Sequence, residues 1–247
     1  MIFLKDLNIY SKGMNSCVKE VIQDSKISRD CKMLSCINAH AYVEAKKDEF
    51  FADSLKNSKW LIPDGIGIVI ASKLFPNRIK DRLTGPDSYG FIMNELNKVS
   101  GSVAYIGSTD ENLEKIKNKV SQNYPNVKIL TMISPPFLPE FKGEINNNMV
   151  KEINKYSPDI LWVGMTAPKQ EKWIYDNRKK LNVGVAAAVG AVFDFEAGTV
   201  TRAPLWMQRY HLEWLHRFLQ NPSRLAKRVF ISIPVFLYYV IYERFFV

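Results

Sequence analysis

A carboxylate in the first third of the chain is placed where it could act on a substrate. Asp64 stands between Pro63 and Gly65, directly after the apolar run Trp60–Ile62. A carboxylate at such a turn can accept a proton from a substrate hydroxyl as a general base. It can equally form an Asx turn that begins the next helix, and the spacing alone does not separate these two roles.

A guanidinium and a second acid follow in the segment 82–87, Arg-Leu-Thr-Gly-Pro-Asp. Arg82 can hold a phosphate group with two hydrogen bonds, or it can be a solvated surface charge. Asp87 is expected in the first turn of a helix, where the helix dipole favours an acid. The segment is therefore a candidate for binding a charged substrate.

A glycine turn at Gly107 is the one phosphate-binding candidate in a strand–turn–helix pattern. Amide groups at a helix N-terminus can bind phosphate. Ser108 and Glu111 have the spacing of a capping box, so a plain capped helix is the alternative. The chain has neither a GxGxxG sequence nor a P-loop lysine motif, which disfavours a dinucleotide-dependent dehydrogenase and a P-loop ATPase.

Two polar residues are expected in the first turn of a helix that begins at Pro168, a favourable first-turn position for proline. Gln170 has no structural role there, so it is a candidate ligand for a sugar or a base, with a solvated side chain as the alternative. Glu171 follows it and is included among the predicted substrate-binding residues.

Asp194 and Glu196 form the only acidic pair that suggests a metal. If the chain is extended there, both carboxylates point to one side, as in a two-carboxylate metal motif. The alternative is pairing of these acids with the basic end of the chain. We predict no metal site and no cofactor, and we keep a metal-dependent transferase that uses these two acids as an alternative function.

The cysteines and histidines indicate no further chemistry. The three cysteines, Cys17, Cys31 and Cys36, form no CxxC pair, which is typical of thiols in a reducing cytosol. No Ser-His-Asp or Cys-His arrangement is visible. The N-terminal residues lack the pattern of a signal peptide, and we therefore predict a cytoplasmic protein.

These residues need a scaffold that brings the ends of several strands together. Short apolar runs alternate with helical patterns, which predicts a mostly parallel α/β sheet of Rossmann type with helices on both faces. In such sheets ligands bind at the carboxyl ends of the strands. The predicted strands are Met33–Ile37, Trp60–Ile62, Ser102–Ile106, Val127–Ile133, Asp159–Val163 and Val183–Val189. The predicted helices are Ala41–Leu55, Pro86–Val99, Asp110 to about Val120, one from Pro168, and Leu205–Leu219.

The end of the chain differs in composition from the rest. The net charge is +9, and residues 201–247 carry seven Lys and Arg against two Glu, with eleven of the thirty aromatic residues. The run Val229–Tyr242 has no charge; as a helix it would be about 21 Å long, too short for a hydrocarbon core of about 30 Å, and Pro234 is expected to interrupt it. We predict a core, 1–200, and a basic helical appendage, 201–247.

A basic helix before an aromatic apolar run is typical of a helix in the membrane interface. Packing of the run on its own domain or on a second subunit is the alternative, and the oligomeric state stays open. Nucleic acid is disfavoured as a partner, because the rings form one apolar run rather than a spaced polar groove.

Seven motifs in order resemble the WecG/TagA/CpsF glycosyltransferase family over about residues 30–230. They are Asn38, Pro63-Asp-Gly-Ile-Gly67, the segment 82–87, Gly164-Met165 with Pro168-Lys-Gln-Glu171, Phe193-Asp-Phe-x-Ala-Gly198, Arg202-Ala-Pro204, and Leu212-Glu-Trp-Leu215 with Asn221-Pro-x-Arg224.

The resemblance implies a cytoplasmic enzyme at the inner face of the cell membrane. It implies metal-independent, inverting transfer of a sugar from a UDP-sugar to a polyprenyl-diphosphate-linked sugar. The sugar is often N-acetylmannosamine or its uronic acid, and sometimes glucose. This places the chain in the biosynthesis of cell-surface polysaccharide or of a teichoic-acid-type polymer.

The resemblance also assigns roles to individual residues. Asp64 matches the family's proposed base, and Arg82, Asn38 and Gln170 match its substrate-site residues. Cys36 replaces the family's threonine, which puts the identity of the sugar in doubt more than the reaction. We further predict that Asp87, Gly107, Glu171 and Asp194 bind substrate. The residues expected to bind the acceptor diphosphate or the membrane are Arg202, Arg217, Arg224, Lys227 and Arg228.

The predicted mechanism is a single displacement. Asp64 takes the proton of the acceptor hydroxyl while that oxygen attacks the anomeric carbon. Arg82 and the arginines of the appendage stabilise the departing UDP, together with helix N-terminal amides. A non-catalytic, membrane-associated protein that binds nucleotide sugars is the alternative outside the enzymes.

Overall fold

The protein is a parallel α/β structure. The computed structural model describes residues 4–76, 78–222, 226 and 228–246, without the side chains of 228 and 229. Its strands are β1 (Asp30–Ile37), β2 (Trp60–Pro63), β3 (Ser102–Gly107), β4 (Lys128–Ile133), β5 (Ile160–Gly164) and β6 (Val183–Ala188). They form one six-stranded sheet in the order β2-β1-β6-β5-β3-β4, and every pairing is parallel. The predicted fold class is confirmed.

Helices surround this sheet. Within the described ranges, the helices of the first half are α1 (Met14–Ile27), α2 (Ala39–Ala45), α3 (Glu49–Lys56), α4 (Ile66–Ser72), α5 (Gly85–Lys98) and α6 (Asp110–Asn123). Those of the second half are α7 (Gly143–Asn154), α8 (Lys169–Asn177), α9 (Val192–Glu196), α10 (Leu205–Arg209), α11 (Glu213–Gln220) and α12 (Ile233–Phe246). A 3-10 turn, Leu4–Asp6, opens the described chain, and a π-helical turn, Arg228–Ser232, precedes α12.

Strands β2, β5 and β6 are buried on both faces, apart from the last residue of β5, which explains their continuous apolar sequences. All six residues of the central strand β6 are buried. The strand predictions hold to within three residues at each end, because short apolar runs that precede turn residues are a local signal. The helix predictions were less complete: they missed α1, α7 and α9, and they expected a helix after Asp64, now α4, without giving its bounds.

Two helix predictions were wrong in their continuity. The pattern Ala41–Leu55 forms two helices rather than one, because Asp48 begins the second: its carboxylate accepts a hydrogen bond from the Phe51 amide at 2.9 Å. The pattern Leu205–Leu219 also forms two, α10 and α11, since His211 has a φ of 59° and breaks the helical path.

The C-terminal helix α12 packs on the first half of the chain. Its Phe236 and Val240 are buried in the same apolar cluster as Tyr42 of α2. The run becomes α-helical at Ile233, directly after the π-helical turn and one residue before Pro234, so the predicted interruption is a change of helix type rather than an end of the helix. Across the described residues, no helix is both long enough and apolar enough to span a membrane.

Candidate active site

Asn38 and Asp64 lie side by side at the carboxyl end of the sheet. Ile37 of β1 is in register with Pro63 of β2, and the Asp64 amide donates to the Ile37 carbonyl at 2.8 Å. A side chain at Gly65 would place its Cβ 3.2 Å from the Asn38 Cβ, so a glycine suits this close approach. The two strand ends thus bring together two side chains that are 26 positions apart in the sequence.

Asn38 also begins α2. Its side-chain oxygen accepts a hydrogen bond from the Ala41 amide at 3.0 Å, the usual bond of an N-cap asparagine. In the described part of the chain its amide nitrogen has no hydrogen-bond partner, so this group can donate to a ligand beside Asp64.

Asp64 does not cap a helix. Gly65 is the N-cap of α4, and no side-chain hydrogen bond joins Asp64 to the described residues. Asp64 is half-buried, and desolvation raises the pKa of its carboxyl to about 7 against the attraction of Arg217 and Arg82. A carboxylate with a pKa near 7 is suited to accept a proton at neutral pH.

Arg82 is held by an acid of the C-terminal part. Its Nη2 donates to Oε2 of Glu213 in α11, and Nε of Arg202 donates to Oε1 of the same carboxylate at 3.2 Å. Arg202 also pairs with Asp87 at 2.7 Å, and Asp87 accepts a hydrogen bond from the Thr84 hydroxyl at 2.6 Å. One carboxylate therefore orients two guanidiniums at the edge of the site.

Glu213 is the residue that sequence reasoning missed. It occurs in the motif Leu212-Glu-Trp-Leu215, and the pattern there gives it no role of its own. The helix dipole favours an acid in the first turn, so the position of Glu213 there does not call for an arginine partner. Only the fold places it against Arg82, although both residues lie in motifs that carry the family resemblance.

Gln170 and Glu171 are buried rather than solvated. Gln170 is 4% and Glu171 is 1% exposed, and Nε2 of Gln170 donates to Oε1 of Glu171 at 2.8 Å. The Gln170 amide lies beside Gly190, which follows β6. The alternative that Gln170 is a solvated side chain is therefore wrong.

These two side chains keep buried acceptors without partners. In the described structure, Oε1 of Gln170 and Oε2 of Glu171 accept no hydrogen bond. Buried polar atoms normally have partners, so a ligand that donates hydrogen bonds would satisfy them. Burial raises the pKa of Glu171 to about 7.

Cys36 lies near both acids. Burial and the charges of Asp64 and Glu171 raise the pKa of its thiol well above the usual value.

Gly107 has a packing role. A Cβ there would lie 2.3 Å from the Gly164 carbonyl oxygen, and its φ of 130° is unfavourable for other residues.

The predicted capping box is wrong by one residue. Thr109, not Ser108, is the N-cap of α6, and its hydroxyl accepts a hydrogen bond from the Asn112 amide at 3.3 Å. Ser108 has a φ of 61°.

Asp194 and Glu196 lack the extended geometry that the metal alternative requires. They lie in the helix α9, where residues two apart point in different directions. Glu196 pairs with Lys119 of α6 at 3.4 Å, so its described partner is in the core and not in the basic end of the chain. Among the residues that the structure describes, no group of three or more His, Cys, Asp or Glu could hold a metal ion.

The predicted cations of the appendage separate into two sets. Arg202 and Arg217 reach the site: Arg202 through Glu213 and Asp87, and Arg217 as the largest favourable charge acting on Asp64. Arg217 also lies 5.9 Å from the ring centre of Phe195. Arg224 and Lys227 lie outside the described residues, as does the side chain of Arg228.

Comparison with known proteins gives one consistent family. Residues 3–247 match the family described as "Glycosyl transferase WecG/TagA/CpsF family". A protein of Bacillus subtilis (strain 168) is 32% identical over 213 residues, which is 85% of this chain and 79% of the relative. It is named N-acetylglucosaminyldiphosphoundecaprenol N-acetyl-beta-D-mannosaminyltransferase.

Two further relatives carry the same name. The one from Bacillus spizizenii (strain ATCC 23059 / NRRL B-14472 / W23) is 28% identical over 194 residues, 78% of this chain and 72% of the relative. The one from Staphylococcus aureus (strain MW2) is 27% identical over 201 residues, 78% of this chain and 73% of the relative.

Proposed function

Because the chain belongs to the WecG/TagA/CpsF family of glycosyltransferases, we propose that it moves an N-acetylmannosamine-type sugar or a related hexose from a UDP-sugar to a polyprenyl-diphosphate-linked sugar. The names of the three relatives support this choice of sugar and acceptor. The product would enter a cell-surface polymer of the teichoic-acid type. The observation that carries the proposal is the environment of Asp64. Its carboxylate lies half-buried at a strand end, caps no helix, has a pKa near 7, and lies near the guanidinium groups of Arg217 and Arg82.

Asp64 acts as the general base in this proposal. It accepts the proton of the acceptor hydroxyl while that oxygen forms a bond to the anomeric carbon of the donor. The bond from that carbon to the UDP oxygen breaks in the same step, so the configuration inverts. General base catalysis of this kind is worth about 10²–10⁴-fold in rate.

The leaving diphosphate is stabilised by cations. Arg82 and Arg202 are already oriented by Glu213, and Arg217 lies close enough to act on Asp64. Guanidinium groups hold phosphate with two hydrogen bonds each. Groups that are positioned before the reaction stabilise developing charge without reorganising, which is a large contribution to catalysis.

The donor sugar is bound by Asn38, Gln170 and Glu171. Asn38 follows the strand end that hydrogen-bonds the Asp64 amide, and the two buried acceptors of Gln170 and Glu171 require hydrogen-bond donors. Sugar hydroxyls and an N-acetyl N–H supply such donors. Asp87 acts through Arg202, with which it forms an ion pair. Substrate binding by Gly107 and by Asp194 stays a prediction from the sequence.

Residues 201–247 serve as the appendage that binds the acceptor and a membrane surface. We place α12 in the membrane interface, at the cytoplasmic side. Phe236 and Val240 hold one side of the helix on the core, while Leu237, Ile241 and Phe245 are exposed. A short helix with exposed apolar side chains and flanking cations is typical of such helices.

One assay tests the function. The protein is incubated with a panel of UDP-sugars and a short-chain polyprenyl-diphosphate acceptor that carries N-acetylglucosamine, and products are read by mass spectrometry. We expect one added N-acetylhexosamine with UDP-N-acetylmannosamine. Donor binding without product from any donor or acceptor of the panel would instead favour the non-catalytic nucleotide-sugar-binding protein.

The same assay in the presence of a chelator separates the two transferase mechanisms. Because α9 turns Asp194 and Glu196 in different directions, we expect turnover to persist in EDTA. The double variant Asp194→Asn/Glu196→Gln should show the same ratio of turnover with and without EDTA as wild type. Activity that vanishes with EDTA and returns with Mn²⁺ would support the metal-dependent alternative.

A further inference from the structure

A basic cavity lies beside the C-terminal helix, and none of the residues assigned to catalysis lines it. Its volume is about 570 Å³, and its walls come from the 3-10 turn, the end of α4 with the following loop, and the end of α12. Four of the lining residues are cations: Lys5, Lys73, Arg78 and Arg244. We call it the basic cavity.

The one acid in the cavity wall is neutralised from inside the protein. Glu243 pairs with Lys46 at 2.8 Å, accepts the hydroxyl proton of Tyr42, and accepts the Leu4 amide at 2.7 Å. Its carboxylate is fully buried. Its charge is therefore already compensated by Lys46, and the cavity keeps an excess of positive charge.

Three of the cavity's cations have no acidic partner in the described part of the chain. No carboxylate lies within ion-pair distance of Lys73, Arg78 or Arg244 there, and all three side chains are exposed. Unpaired cations grouped around one cavity attract an anion, and the attraction weakens as salt is added.

The exposed apolar side of α12 continues from this cavity. Arg244 is three residues after Ile241 and seven after Leu237, so the three side chains lie on one side of the helix. Ile241 is 53% and Leu237 is 51% exposed. A cation beside exposed apolar side chains matches the boundary between lipid headgroups and acyl chains.

We propose that the basic cavity binds the headgroup of an anionic phospholipid while Leu237 and Ile241 contact the acyl chains. The proposal rests on the membrane role given above to the appendage, and it adds a specific site and a lipid class. Charge complementarity selects the occupant, because a zwitterionic headgroup offers no net charge to the unpaired cations. The cavity thus fixes how α12 sits on the bilayer.

The test is vesicle binding by the full chain with two charge-matched double variants. Lys73→Gln/Arg78→Gln removes two cations of the cavity. Lys128→Gln/Lys151→Gln removes two exposed cations at the β4 edge of the sheet, opposite to β2 and α4. Vesicles are phosphatidylcholine alone, or phosphatidylcholine with phosphatidylglycerol, at low salt. Thermal melts establish that both variants fold.

We expect the cavity variant to bind the anionic vesicles about 25-fold more weakly, at about fivefold for each cation lost. Its binding to phosphatidylcholine should stay within about twofold of wild type, and the matched control should change by less than about twofold on both vesicles. Equal losses in the two double variants would mean that only net charge matters. Wild-type binding by the cavity variant would also overturn the proposal.

Two further measurements separate the source of the anion and the underlying function. In the first, inorganic phosphate is titrated into wild type and the cavity variant. If phosphate saturates wild type but not the cavity variant, and the two proteins bind vesicles equally, the site binds free phosphate and the lipid proposal is refuted. Turnover on the short-chain acceptor without vesicles should be equal in wild type and the cavity variant. If wild type itself shows no turnover, the transferase proposal fails while the vesicle comparison still decides the lipid site.

Discussion

Nη2 of Arg82 donates a hydrogen bond to Oε2 of Glu213, which joins the loop before α5 to a helix 131 residues later. Both side chains are largely shielded from water, at 13% and 15% exposure. The pair connects the core of the proposed active site with the segment that the composition separated as an appendage. Through this bond, residues 201–247 help to orient a guanidinium that belongs to the core.

The Arg82–Glu213 pair is expected to be energetically coupled. A double-mutant cycle with Arg82→Gln and Glu213→Gln should give a coupling of about 1–3 kcal/mol in unfolding free energy. The reason is that Glu213→Gln leaves the shielded Arg82 without its acid, while Arg82→Gln leaves Glu213 with only Arg202 among the described residues. The exposed pair Glu95–Lys98 is the control, with less than about 0.5 kcal/mol expected. Additive effects at Arg82 and Glu213 would contradict the proposed link.

Asp64→Asn is expected to lower turnover by about 10²–10⁴-fold while UDP binding stays within about threefold of wild type. Asparagine keeps the size of the side chain but cannot take a proton. Steady-state kinetics and calorimetric UDP titration measure the two quantities. Asp81→Asn removes an exposed acid 17 positions away and should leave turnover unchanged. Near-normal turnover in Asp64→Asn would reject this base.

The rate should rise with pH through about 7, since Asp64 must be deprotonated to act and its pKa is raised to about 7 by burial. The pH dependence of kcat/KM reports this group in the free enzyme. Glu171 also has a pKa near 7, so the Glu171→Gln variant is the control. Its profile should keep the same rise; a flat profile in this variant would assign the titration to Glu171.

Asp64→Asn should also be more stable than wild type at high pH. The folded protein holds the Asp64 proton up to about pH 7, whereas an unfolded aspartate releases it near its ordinary pKa of 3.8. Wild type therefore loses stability as pH rises from about 4 to 7, and the variant lacks this loss. After allowance for solvent screening we expect about 1–2 kcal/mol at pH 8 and much less at pH 4, measured by urea unfolding. Equal stability at pH 8 would contradict the desolvation of Asp64.

Glu243→Gln should release α12 from the core. The change leaves Lys46 buried without its carboxylate, at 3% exposure, and weakens the bonds to Tyr42 and Leu4. A loss of about 3 kcal/mol is expected, with faster proteolysis within residues 233–246. Glu152→Gln, from the exposed pair with Lys155, is the matched control and should change stability by less than about 0.5 kcal/mol. Wild-type stability and proteolysis in Glu243→Gln would show that the buried pair does not hold the helix.

Short-range patterns in the sequence determined the scaffold. Apolar runs that end at turn residues predicted the six strands of a mostly parallel sheet, and with them the sheet edge at which ligands bind. This succeeded because strand formation depends on neighbouring residues and because parallel strands present their carboxyl ends at one edge. The family was also readable, since its motifs are contiguous.

Only the tertiary structure decided which partners the charged and polar groups have. Nothing near Gln170 in the sequence indicates that it is buried beside Gly190. The capture of Arg82 by Glu213, and of Glu243 by Lys46 and Tyr42, joins residues separated by at least 131 positions. The physical reason is that desolvation and charge pairing depend on distances in the folded chain, whereas hydrophobic periodicity and turn chemistry are local properties.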